Sequence, residues 1–251
     1  MTDEIKLTIG EDGIAELLID RPAKMNAINR EMMEAIRDAR RQVNEDDAVR
    51  CVLVHGAGER AFSAGTDLNI LDTYEDAWAF RNHINYAVEI GKIQKPTVAA
   101  IKGWCMGGGL EIALQCDIRV ATATARLGAP EVKHGWLGGG GQTVMLTRLV
   151  GYGHAALMTL TGDPIEGEEA HRIGLVQKLA PEGEEVAVAR EIAERIARHT
   201  AIATRTVKDG IKASLSGNLD AAARHEADLM IMAFAMGNDQ AGVEAFQSRK
   251  K

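Results

Sequence analysis

The chain has 251 residues, 46% of them hydrophobic and 26% charged, a balance that excludes a disordered protein and is ample for one large core. Its net charge is −7 and its basic residues are scattered rather than gathered beside aromatics, which argues against a nucleic-acid partner. A polyanionic ligand has to be met by local cations, because the global field repels it.

The elements follow in chain order. Ile5, Leu7 and Ile9 alternate, the turn Glu11-Asp12-Gly13 intervenes, and an apolar run resumes from Ile14 to Ile19, which predicts a β-hairpin. Asn29 is the expected N-cap of a helix whose Met33, Ile36, Ala39 and Val43 share one face. A buried strand is expected from Val49 to His55, then a loop over 56–66, then helix from about Glu75 to Ile93. Pro96 introduces the strand Thr97 to Ile101, the glycines 107–109 open an apolar helix from Leu110 to Cys116, and Ile118 to Val120 reads as strand again. This alternation implies right-handed crossovers in a layered α/β core. From Gly141 onward the pattern is mostly helical, with one strand expected over Leu175 to Leu179. Residues 229–236, LMIMAFAM, are eight consecutive apolar or small residues, so a helix there needs cover all round, from a partner subunit or from its own chain.

No apolar stretch reaches the roughly 20 residues that span a bilayer, because Lys102, Glu111 and Arg119 interrupt the most apolar regions. Cys51, Cys105 and Cys116 form no C-x-x-C pair and lie far from any His cluster, so neither a disulfide framework nor a zinc site is expected. The acidic start resembles neither a secretory signal nor a transit peptide, and the expected location is the cytoplasm.

Three segments place small residues beside groups able to do chemistry: AFSAGTDL (61–68), WCMGGGLEIALQCDI (104–118) and GAPEVKHGWLGGGGQ (128–142). Glycines between a strand and a helix leave backbone N–H groups unpaired at the positive end of the helix dipole, which makes an anion site. Ala64-Gly65-Thr66 offers a second such amide, entering a short helix begun by Thr66 or Asp67. Two converging amides make an oxyanion hole. Taken alone, a triple glycine is more often close helix–strand packing, and the G-x-G-x-x-G spacing of a dinucleotide loop fails at Glu111 and Ile112. Glu111 sits in an otherwise apolar stretch, as a structural ion pair, as a carboxylate favoured by the dipole, or as a tuned acid or base. Glu131 alone reads as an ordinary loop residue after Pro130.

Together, AFSAGTDL, KPTVAAIKG, GGGLEIALQCDI and the Pro-Glu of GAPE, in this order and at these intervals, resemble the crotonase (enoyl-CoA hydratase/isomerase) superfamily. The likeness runs from the first hairpin through RPAKMNAIN (21–29) to GDPIEGEEAHRIGLV (162–176). It implies an α/β spiral of ββα units over residues 1–195, a helical region over 196–251 used in trimer assembly, and an acyl-CoA thioester as ligand. Thr66 and Gly108 match the two oxyanion amides. Glu111 and Glu131, 20 residues apart, match the paired glutamates of members that hydrate a 2-enoyl-CoA. Adding water across a conjugated double bond takes a base for the water and an acid for Cα, assigned to Glu111 and Glu131 in that order.

For the CoA and acyl groups the resemblance points to Lys24, Ala64, Gly65, Asp67, Leu68, Gly107, Trp136 and Gly139, and to the terminal cations Arg249, Lys250 and Lys251. It implies no metal and no cofactor beyond the coenzyme A of the substrate, a homotrimer or dimer of trimers, and no DNA or membrane partner. Two departures stand out. Hydratases of the family carry Pro-Gly-x-Gly-Gly after the second glutamate, whereas this chain has Gly138 to Gly141 followed by Gln142, which implies a looser loop. Trp136 replaces a small or aliphatic residue, either narrowing the acyl pocket or packing in the core. The rival readings are a Δ3,Δ2-enoyl-CoA isomerase, hydrolase or decarboxylase using the same hole, and a non-catalytic acyl-CoA or RNA-binding descendant.

Overall fold

A computed structural model of the chain describes residues 2–236. Strands β1 (Ile5–Ile9) and β2 (Ile14–Ile19) form the expected antiparallel hairpin. Helix α1 (Arg30–Glu45) starts where Asn29 accepts the Met32 N–H with its side chain, and the expected Met33, Ile36, Ala39 and Val43 are all buried. β3 (Cys51–Gly56) and β4 (Ala61–Ser63) follow. The region expected as one helix is two, α2 (Ala77–Arg81) and α3 (Tyr86–Gly91), because Asp76 and Asn85 each cap a new start with a side-chain oxygen.

The next turn is built from β5 (Thr97–Ile101), β6 (Trp104–Met106) and α4 (Gly108–Gln115). After it come β7 (Ile118–Thr122) and β8 (Arg126–Gly128), then a one-turn 3-10 segment, Pro130–His134. Helix α5 (Gln142–Thr161) is broken at Gly151, where the backbone leaves the helical region. β9 (Ile165–Glu166), α6 (Gly167–Arg172), β10 (Lys178–Ala180) and α7 (Glu185–Ala197) close the core, and α8 (Ala201–Ser216) and α9 (Leu219–Ala235) form the C-terminal helical pair.

Two sheets result, ordered β1-β2-β3-β5-β7-β10 and β4-β6-β8-β9. Successive turns of the chain each give one strand to the first sheet and the next to the second, parallel to its predecessor, which is a spiral of ββα units. The main core lies between the sheets and helices α1, α3 and α4, while α7 covers the other face of the large sheet through Ala189 and Ala193. Buried Arg119 donates to the carbonyls of Ala113, Cys116 and Leu175, fixing the C-terminal end of α4. This satisfies carbonyls that a helix end otherwise leaves unpaired.

The strand expected over Leu175 to Leu179 forms at Lys178–Ala180 instead, since the Leu175 carbonyl is engaged by Arg119 and the Leu175 amide by Ala170. The all-round cover expected for residues 229–236 is absent among the described residues. Leu229 is buried, but Met230, Ile231, Met232 and Phe234 are 54–62% exposed. No helix among the described residues is long and apolar enough to cross a membrane.

Candidate active site

The site begins with a clamp on residues 63–67. Asn26, buried and in the left-handed region at φ 54 to 55 with its neighbour Met25, donates its side-chain amide to the carbonyls of Ala57 and Ala61. The Ser63 hydroxyl donates to the Asn26 carbonyl and accepts the Gly65 N–H. Ala64 N–H donates to Met25, Ile28 N–H to Gly65, and Asp67 N–H to Ile28. With its neighbours spent, the Thr66 N–H has no acceptor among the described residues.

The second amide comes from the glycine turn ahead of α4. Gly107 adopts φ 55, ψ −123, a conformation that disfavours any side chain, and Gly108 opens the helix with an N–H that has no partner among the described residues. A Cβ on Gly65 would fall 2.7 Å from the Gly108 nitrogen, so glycine is what lets the two segments close on each other. Both free amides belong to the wall of one cavity of about 1140 Å³, together with Glu111 and Glu131.

Glu111 is 6% exposed and accepts the Gly140 N–H on Oε1 at 2.6 Å. Burial pushes its carboxyl up to about 7, with the nearby Glu131 charge adding to the shift and the Gly140 and Gln142 backbone N–H groups opposing it. A group that titrates near neutrality can exchange protons in either direction at working pH. Glu131 is 9% exposed and sits in the 3-10 turn that Pro130 starts and Gly135 ends in the left-handed region. Its Oε1 accepts the side-chain amide of Gln142 at 2.9 Å, and its buried Oε2 has no partner among the described residues.

Free N–H donors and two buried carboxyls on the wall of one cavity can stabilise an oxyanion while moving protons around it. The comparisons with known proteins agree with that chemistry. The family model for enoyl-CoA hydratase/isomerase matches residues 10–251. The chain belongs to this family. It is 35% identical over 246 residues to crotonyl-CoA hydratase from Syntrophomonas wolfei, covering 96% of this chain and 94% of that one. Similarity to short-chain-enoyl-CoA hydratase from Clostridium acetobutylicum is 33% over the same shares of each chain. Among solved structures, an enoyl-CoA hydratase from Bacillus anthracis superposes with a TM-score of 0.92 at 29% identity, covering 98% of this chain and 97% of that one. The fold is that of crotonases.

Of the residues the crotonase resemblance singles out, Glu111, Glu131, Thr66, Gly108, Gly107, Ala64, Leu68, Trp136 and Gly139 line the cavity. Gly65, Asp67 and Lys24 do not. Gly65 packs close to Gly108 N and the Met106 carbonyl. Asp67 pairs with Arg21 at 2.7 Å and caps the 3-10 segment Leu68–Thr73, an ionic and capping role. Lys24 is exposed on the short turn Pro22–Lys24. Trp136 is half-exposed and stacks on His134 with centroids 5.2 Å apart, so it forms the cavity wall and not the core. Arg249, Lys250 and Lys251 lie outside the described residues.

The looser loop expected at 138–141 is corrected by the structure. Gly140 is pinned on both sides, its N–H to Glu111 and its carbonyl by the Gln115 side chain at 2.9 Å, and Gly141 caps α5 in the left-handed region. Gly138 and Gly140 are required by close approach to Glu111, whose carboxylate oxygens would lie 2.6 and 2.5 Å from added Cβ atoms, and Gly141 by its positive φ. Sequence reasoning missed Tyr86 as a site residue. Its hydroxyl pairs with Thr66 Oγ1 at 2.8 Å and lies where a Cβ on Gly108 would have to go. Burial, and then the two glutamate charges, push the phenol upward and keep it neutral. The sequence carries no signal for Tyr86, since it falls in the middle of the helix expected from about Glu75 to Ile93.

Proposed function

We propose that the protein hydrates a 2-enoyl-CoA to the 3-hydroxyacyl-CoA. The carrying observation is that two amides unpaired among the described residues and two buried glutamates line one cavity. The thioester carbonyl oxygen takes the Thr66 and Gly108 N–H groups. Glu111 removes a proton from water, whose oxygen bonds to Cβ. The double-bond electrons move toward the carbonyl as an enolate, and Glu131 hands its proton to Cα. The cycle closes when the proton gained by Glu111 is passed back to Glu131. Water is the sole co-reactant, and coenzyme A enters as part of the substrate.

The CoA arm lies over Ala64 and Leu68 with Lys24 as a point charge for its phosphates, and the acyl end lies between Trp136 and the residues of α2 and α3. The exposed apolar side chains of α9 are covered in a homotrimer or dimer of trimers, in the cytoplasm. The test is a panel of 2-enoyl, 3-enoyl and malonyl-type thioesters followed by loss of the conjugated-thioester absorbance and by product analysis. The 3-hydroxyacyl-CoA is the expected product from a short 2-enoyl substrate. Turnover of 3-enoyl substrates alone would replace this reading with an isomerase, and tight binding without product would replace it with a binding protein.

A further inference from the structure

Gln142 occupies a position where hydratases of the family carry glycine, and it is 2% exposed. Its Nε2 donates to Glu131 Oε1 at 2.9 Å and, more weakly, to the Gly107 carbonyl at 3.4 Å. Both neighbours are acceptors. A flipped amide would set its oxygen against two oxygens, so the contacts themselves fix the orientation. The same logic fixes Glu131. A proton on Oε1 would face the Nε2–H, donor against donor, whereas Oε2 is buried, unpartnered among the described residues and free to carry one.

From these contacts we infer that Gln142 is a positioning residue for Glu131: by occupying Oε1 it confines the transferable proton to Oε2. The inference rests on the hydratase reading above. It also bears on the proline missing at position 138, in the same loop. A Cβ at position 138 would lie 2.6 Å from Glu111 Oε1, 2.8 Å from Gln142 Cβ and 2.9 Å from Gln142 Oε1, so Glu111 and Gln142 together require glycine there.

The test is a double-mutant cycle on hydration of crotonyl-CoA. Gln142→Leu keeps the bulk and removes the donor. It is expected to lower kcat by about tenfold to a hundredfold with KM within about twofold, the range for losing a hydrogen bond to an ionisable group. In a Glu131→Gln background the same change is expected to add less than about twofold, because the residue acts through Glu131. Unchanged kcat, or an equal loss in both backgrounds, would overturn the inference. Thermal melts check folding, and Gln142→Gly, which also lacks the donor, replaces the leucine variant if that one unfolds. Exchange of the Cα protons of butanoyl-CoA in D2O needs only the amide hole and Glu131. A parent that exchanges but does not hydrate refutes the hydratase reading, and Gln142 is then judged on the exchange rate by the same cycle.

Discussion

The two glycine runs, 107–109 and 138–141, look alike in the sequence and do opposite things. The first keeps an amide idle: Gly108 N–H has no partner among the described residues, while the Tyr86 hydroxyl stands where a Cβ would go. The second spends its amide, with Gly140 N–H given to Glu111. Glycine is needed in both because a resident group comes close, the Tyr86 hydroxyl and the Ser63 carbonyl in one case and the Glu111 carboxylate in the other. An oxyanion hole is therefore marked by glycines whose hydrogen bonds are left unmade, and the count of glycines does not reveal this.

Alanine at each run sharpens the contrast. At Gly108 the new Cβ would lie 1.8 Å from the Tyr86 hydroxyl, so Gly108→Ala must displace the tyrosine or the amide. We expect kcat to fall by about a thousandfold, at the upper end for loss of one oxyanion donor. At Gly140 the Cβ would lie 2.5 Å from Glu111 Oε2, and the carboxylate must swing from its donor. Gly140→Ala should cost about a hundredfold through general base catalysis alone, without loss of CoA affinity. Equal effects of the two on affinity and on kcat would erase the distinction drawn here. Steady-state kinetics and acyl-CoA titrations on folded variants measure both.

A smaller effect concerns stability. The folded-state value of Glu111 is raised from 4.5 to about 7, so the folded protein binds more protons than the unfolded chain between those limits. Stability from this group is complete below about pH 4.5 and is lost as pH rises through 7. Glu111→Gln keeps an acceptor for Gly140 and removes the charge. It should stabilise the fold at pH 8 by on the order of 2 kcal/mol, roughly 4 to 8 °C in Tm, with the gain vanishing near pH 4.5. A gain independent of pH would contradict the burial of a titrating carboxyl.

What could be read from the sequence follows from the range of the forces involved. The hairpin, α1 with its Asn29 cap, β5 and α4 announce themselves through local periodicity and capping. The whole second sheet escaped, because β4, β6 and β8 have three residues each and β9 two, too few to show alternation. Glu111 was conspicuous as a charge in an apolar helix. Glu131 was legible only by family resemblance, since its burial comes from the distant α5. Gln142 and Tyr86 act through contacts with Glu131 and Thr66, and no local pattern encodes a contact made across the fold.

In the proposed reaction one carboxyl takes a proton and the other gives one while main-chain hydrogens hold the thioester carbonyl. The most direct test is hydration of a short 2-enoyl-CoA by Glu111→Gln and by Glu131→Gln, with the absorbance of the bound conjugated thioester recorded alongside. Each variant should lose at least about a hundredfold in kcat while the red shift of the bound chromophore persists, because the amides of Thr66 and Gly108 are untouched. Parental turnover in either variant, or a red shift that disappears with the carboxylate, would contradict the account.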